Sequence, residues 1–171
     1  MCSEPAFGSA ECADPALERA ATVAQILARQ LGSVHTLGVT KRPTEAWRQH
    51  LEDQEAAVAA GKLDPESNDA WAIRLFPAAF TADVDKALAL FEQGIEQADL
   101  SRQHDIWVLI KGVIDNLNAV SKQWELIETG EREDLCKYID DALTEAGADL
   151  DAVADGARIE RNDLADEWRE W

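Results

Sequence analysis

The chain has 171 residues, 46% of them hydrophobic, and its 34 acidic and 16 basic residues give a formal net charge of −18. The length predicts a single domain, and the apolar fraction is that of a globular protein rather than a disordered one. A charge this negative repels nucleic-acid phosphates and anionic membrane surfaces, so we expect neither of them to be a partner.

The acidic excess is concentrated in the last third of the chain. Residues 125–171 contain sixteen acidic and five basic residues, which leaves a net charge of −11 in that segment. Such a surface attracts a basic protein, although solubility or adaptation to a salt-rich cytoplasm would explain the same composition.

Cysteine usage and hydropathy predict a cytoplasmic location. The cysteines Cys2, Cys12 and Cys136 are odd in number and irregular in spacing, so they predict no disulfide framework. The N-terminus lacks the basic and apolar regions of a signal peptide, and no apolar run is long enough to span a membrane.

The first helix is predicted after a loose, polar tail of residues 1–13. Asp14-Pro15 is typical of a helix start, and an apolar stripe with helical spacing follows over 17–31. Residues 14–171 are therefore expected to form one helical domain.

Three further helices are predicted in the middle of the chain. One spans about 43–60, and a short one, capped by Ser67 or Asn68, ends before Pro77. Thr81 is the predicted cap of a third, long helix.

The next helix, over about 102–124 with Ser101 as its predicted cap, has the longest apolar stripe. Apolar side chains recur there at intervals of three and four residues: Ile106, Ile110, Val113, Leu117, Val120 and Trp124. Because Trp107 and Ile114 widen this stripe, we expect the helix to lie at the centre of the core.

Two more helices are predicted in the acidic third. Thr129 is the predicted cap of a helix over 131–146, and Asn162 is the predicted cap of a short last helix over 163–171. The fold class indicated is all-α, an irregular bundle of about five to seven helices around the 102–124 helix.

The C-terminal third resembles a group of uncharacterised bacterial proteins. The resemblance is carried by Ile127-Glu128-Thr129 before an acidic helix start at Glu131-Arg132-Glu133, and by the ending Glu167-Trp168-Arg169-Glu170-Trp171. It covers about 45 residues, and it implies no activity and no functional residues.

The leading functional hypothesis is a non-enzymatic protein that binds a basic protein partner, as immunity proteins and antitoxins do. The predicted surface combines carboxylates with two tryptophans that a helix would place on one face. Its residues are Glu131, Glu133, Asp134, Asp140, Asp141, Trp168 and Trp171. No cofactor and no catalytic residue are predicted, and the oligomeric state is left open.

Two alternatives stay open. The first is a magnesium-dependent hydrolase of the all-α nucleotide pyrophosphatase type, whose metal ligands would be Glu52, Glu55, Glu66 and Asp69. The second is a structural or ligand-holding domain, whose pocket between helices would be lined by Trp71, Phe76, Phe80 and Phe91. A solvated helix face is the simpler explanation of the four carboxylates, and a packed core is the simpler explanation of the four aromatic residues.

Overall fold

The computed structural model describes residues 40–171, which form six α-helices and one 3-10 turn. The helices are α1 (Pro43–Ala59), α2 (Trp71–Leu75), α3 (Ala78–Gln97), α4 (Gln103–Trp124), α5 (Thr129–Glu145) and α6 (Leu150–Ala157), and the 3-10 turn is Arg161–Asp163. No strand occurs in this part of the chain. The predicted all-α bundle of five to seven helices is confirmed, whereas the predicted tail and first helix lie outside the described residues.

The apolar stripe of α4 lies in the core, as its spacing predicts. The buried side chains of this helix are Ile106, Ile110, Val113, Ile114, Leu117 and Val120, none of them more than 9% exposed. α3 packs along α4 in the most extensive helix–helix contact of residues 40–171. Since only five residues connect the two helices, they form an antiparallel pair.

Stacked aromatic rings attach α1 to this pair. The Trp47 ring lies parallel to the ring of Phe76, with centroids 5.2 Å apart, and also to the ring of Phe80, at 6.0 Å. Trp124, at the end of α4, meets Phe80 edge-on at 6.4 Å. Aromatic pairs in these geometries stabilise a protein by more than the burial of their surface alone. This aromatic cluster therefore holds α1, α3 and α4 together.

A polar network also joins α1 to the bundle. The Arg42 guanidinium donates two hydrogen bonds to the Glu92 carboxylate, and the Tyr138 hydroxyl donates a third. Burial raises the pKa of Glu92, but the hydrogen bonds from Arg42 and Tyr138 outweigh burial and hold that pKa below its ordinary value. Glu92 is therefore ionised at neutral pH and links the start of α1 to α3 and α5.

Several predicted helix caps are wrong. α3 begins at Ala78, so Thr81 lies in its first turn and donates its hydroxyl to the Ala78 carbonyl. α4 is preceded by Arg102 rather than by Ser101. Neither of the residues preceding these helices, Pro77 and Arg102, makes a side-chain cap, so side-chain capping does not fix these two helix starts.

The caps predicted for α2 and α5 are also wrong. α2 is preceded by Ala70, with no side-chain cap at all, so neither Ser67 nor Asn68 has that role. α5 begins at Thr129, and the residue before it forms a capping box, in which the Glu128 side chain accepts from the Glu131 N–H and the Glu131 carboxylate accepts from the Glu128 N–H.

The predicted last helix over 163–171 is wrong. Only the 3-10 turn and a further turn through Trp168 form there, and Asn162 lies inside the 3-10 turn. Nine residues are too few for a stable isolated helix, and Glu167 and Glu170 would meet the negative end of its dipole. Side-chain contacts with α4 and α5 fix this segment instead.

Candidate functional site

A groove opens between α5, α6 and the segment that follows α6, and we call it the C-terminal groove. Its volume is about 440 Å³, the size of known binding pockets. α5 contributes Glu133, Cys136, Lys137, Ile139, Asp140, Asp141 and Leu143, and the other lining residues are Ile110, Leu150, Arg161, Asn162, Leu164 and Ala165. The aliphatic members are buried and form the floor, whereas the charged members form the rim.

The spacing of residues along α5 produces both the floor and the rim. Leu135, Ile139 and Leu143 recur every four residues and are buried, and the last two of them belong to the floor. Glu133, Lys137 and Asp141 have the same spacing on the groove side, so they form an acid–base–acid row along the helix. The Lys137 ammonium donates to the Asp141 carboxylate over 2.7 Å, and this hydrogen bond raises the pKa of Lys137.

Arg161 fixes the opposite wall of the groove to α5. Its guanidinium donates two hydrogen bonds to the Asp140 carboxylate, over 2.7 and 2.6 Å, and a third to the Thr144 hydroxyl over 2.7 Å. A longer bond of 3.3 Å reaches Asp151 in α6. The hydrogen bonds to Asp140 raise the pKa of Arg161, which is thus a permanent cation on the rim.

The end of the described chain packs against α4. The Trp168 ring meets Trp107 edge-on, with centroids 5.4 Å apart. The Asn118 amide donates to the Trp168 carbonyl over 2.7 Å and accepts from the Glu170 N–H over 3.0 Å. Trp168 therefore packs the segment after α6 against α4 and holds that wall of the groove in place.

Trp171 is also half-buried. The Arg169 guanidinium lies over its ring, 5.5 Å from the centroid. Its indole N–H is buried and makes no hydrogen bond within residues 40–171. The two tryptophans of the predicted surface thus contact neighbouring side chains and do not line the groove.

Cys136 lies at the centre of the groove wall formed by α5. Burial raises the pKa of its thiol, although the hydrogen bond from Arg169, 3.3 Å from the sulfur, opposes this effect. The thiol is therefore mostly protonated at neutral pH, a state that suits packing better than nucleophilic attack.

The five predicted acidic residues lie in three different environments. Glu133, Asp140 and Asp141 line the groove. The Asp134 carboxylate accepts a hydrogen bond from the Trp47 indole over 3.0 Å, at the contact with α1. Glu131 is only 7% exposed and completes the capping box of α5. The structure thus brings three of the five acids to one site.

The charges of the groove are partly balanced. Asp140 pairs with Arg161, and Asp141 pairs with Lys137. Glu133 is exposed and makes no ion pair within residues 40–171. Three carboxylates and two cations leave one net negative charge on the groove, inside a segment whose net charge is −11.

The carboxylates proposed as magnesium ligands do not form a metal site. They are exposed on α1 and on the loop after it: Glu52, Glu55, Glu66 and Asp69. Within residues 40–171, no three His, Cys, Asp or Glu side chains form a group that could hold a metal ion.

The aromatic residues proposed as pocket lining are part of the core or its edge. Phe76, Phe80 and Phe91 are at most 3% exposed, and Trp71 packs edge-on against Phe76 at 5.7 Å. None of these four side chains lines the C-terminal groove. Aromatic contacts explain Trp71, Phe76 and Phe80, and burial in the core explains Phe91, without a ligand.

The sequence pattern did not identify several residues of the groove. Leu164 lies in the segment predicted as a regular helix and Arg161 lies just before it, and the sequence pattern predicted no contact of either residue with α5. The available signal was an arginine followed by an apolar pair, Leu164-Ala165, within an otherwise acidic segment.

The chain was compared with protein-family models, with curated proteins and with solved structures, and no match was found in any of the three. Within residues 40–171, no helix combines the length and the apolar character needed to cross a membrane.

Proposed function

We propose that this chain is a non-enzymatic cytoplasmic protein that binds a basic protein partner in the C-terminal groove, in the manner of an immunity protein or antitoxin. A single observation carries this proposal. The groove combines a floor of buried aliphatic side chains with a rim that is net negative, and it lies in the most acidic segment of the chain.

The groove is suited to receive apolar side chains of a partner. Its aliphatic floor residues are at most 7% exposed, so the binding energy comes mainly from the partner's own apolar side chains, which leave water when they enter a volume of about 440 Å³. Covering apolar surface is favourable by roughly 25 cal/mol per Å² removed from water.

The rim is suited to select the partner. Carboxylates in a segment with a net charge of −11 attract a basic surface, accelerate its association and repel phosphate groups. Because Glu133 is exposed and makes no ion pair within residues 40–171, it offers the rim carboxylate that a cation reaches most easily.

A pair of charge reversals tests this proposal. Glu133→Lys changes the groove, and Glu55→Lys, at an exposed glutamate of α1, is the matched control because it changes the net charge equally. Tagged wild-type protein and both variants are used to capture partners from native cells at low and high salt, and the captured proteins are identified by mass spectrometry.

A basic protein retained by the wild type and by Glu55→Lys, but lost with Glu133→Lys and at high salt, is the expected result. Equal retention by all three proteins would show that the groove does not select the partner. If both variants lost the basic protein equally, the interaction would be a nonspecific attraction by overall charge rather than binding in the groove.

A further inference from the structure

The two acids of the row on α5 lie two helical turns apart. Glu133 and Asp141 are eight residues apart, which is about 12 Å at 1.5 Å per residue. Lys137, between them, is 73% exposed, and its only ion pair within residues 40–171 is a single hydrogen bond to Asp141. A partner cation can therefore replace the ammonium of Lys137 at Asp141 at small cost.

Asp140 is not equally available. Its carboxylate oxygens both accept from Arg161, which also bonds to Thr144. The groove therefore offers two accessible anionic positions, Glu133 and Asp141, with the apolar floor beside them.

We infer that the partner lays an amphipathic basic helix along the rim of the groove, with two Arg or Lys side chains two turns apart and large apolar side chains between them that enter the groove. This inference deepens the proposed function and depends on it. Cations seven residues apart on a helix are separated by about 10.5 Å and lie on one face, which matches the two acidic positions. The apolar side chains between those cations then face the floor.

The secondary structure around the groove favours a helix over an extended peptide. Its walls come from α4, α5, α6 and the segment after α6, and no strand edge occurs within residues 40–171. An extended peptide would find no backbone partner there, whereas a helix satisfies its own backbone hydrogen bonds.

Two designed peptides test this inference. Both are fluorescein-labelled, alanine-rich 18-residue helices that contain two arginines and two adjacent leucines. In one peptide the arginines are seven residues apart and flank the leucines. In the control peptide they are five residues apart, which places them on different faces. Fluorescence anisotropy gives the Kd of each for the full-length protein.

The peptide whose arginines are seven residues apart should bind about five-fold more tightly than the control peptide, because two exposed ion pairs contribute about that much affinity. The double variant Glu133→Gln/Asp141→Asn should remove this advantage, and Glu52→Gln/Glu55→Gln on α1 should preserve it. Equal Kd values for the two peptides, or binding by neither, would overturn the inference.

Failure of the inference can be distinguished from failure of the proposed function. If the peptides bind equally but Glu133→Lys still releases the cellular partner, the groove binds a basic partner that is not such a helix. If the protein forms a dimer that Glu133→Lys dissociates, the occupant is a second copy of this chain, and both proposals fail.

Discussion

Replacing Arg161 by Met should weaken the fold and strengthen the binding of a basic partner. The Arg161 side chain is 31% exposed and its partner Asp140 is 32% exposed, so the pair is partly shielded from water. Its two charge-assisted hydrogen bonds and the bond to Thr144 contribute more than a fully exposed pair, for which 0–1 kcal/mol is typical. Methionine retains much of the aliphatic packing, and we expect the variant to lose about 1–2 kcal/mol of unfolding free energy.

The same substitution removes a cation from the groove and frees the Asp140 carboxylate. The groove then carries two net negative charges, and the affinity for a basic peptide should rise about two- to five-fold at low salt. Stability and affinity thus change in opposite directions, a combination that a purely structural ion pair would not produce.

Urea unfolding followed by tryptophan fluorescence measures the stability, and anisotropy measures the affinity. Arg158→Met is the matched control, because Arg158 is exposed, makes no ion pair within residues 40–171 and changes the net charge by the same amount. Equal stability of the two variants, or weaker peptide binding by Arg161→Met, would refute the role given to Arg161.

Four further substitutions test the packing of the bundle and the polar network around Glu92. Phe80→Ala should cost about 3–5 kcal/mol in urea unfolding, because Phe80 is fully buried against two indoles, and a loss below about 1 kcal/mol would contradict this packing. The pKa of Glu92 is lowered in the fold, so its contribution is complete above its ordinary value of 4.5 and is lost as pH falls further. The stability difference between wild type and Glu92→Gln should therefore shrink in acid, and a difference that grows in acid would contradict the network. The methyl group that Gly112→Ala adds to α4 has no packing neighbour within 4 Å, and alanine is favoured over glycine inside a helix, so this variant should be more stable by about 0.5–1 kcal/mol. Gly94→Ala should gain less, since its new methyl group would lie 2.7 Å from Leu109 until that side chain moves, and the reverse order of the two melting temperatures would show that α3 and α4 pack differently.

The long helices could be predicted because their apolar residues repeat with the period of an α-helix. The stripe from Ile106 to Val120 alone places α4 in the core, and Pro77 separates α2 from α3. Helix starts were predicted poorly, because Ser, Thr and Asp are common near helix starts without always capping them. Thr129 and Thr81 both lie inside helices that they were expected to cap.

The candidate site could be predicted only in part. Glu133 and Asp140 are seven residues apart on α5 and therefore share a face, and Asp141 follows Asp140 directly in the sequence. The pairing of Arg161 with Asp140 joins residues 21 positions apart, and no local period reveals it. The burial of Glu131 likewise depends on a capping box with Glu128 that was not predicted, because the cap was assigned to Thr129.

Photo-crosslinking from inside the groove tests the proposed binding site most directly. A photoreactive phenylalanine analogue replaces Lys137 in the groove or, as a control, Lys86 on α3, and the two lysines are 73% and 75% exposed. A basic protein crosslinked in cells from position 137 and not from position 86 is the predicted result. Crosslinking of the same protein from both positions, or from position 86 alone, would show that the C-terminal groove is not where a partner binds.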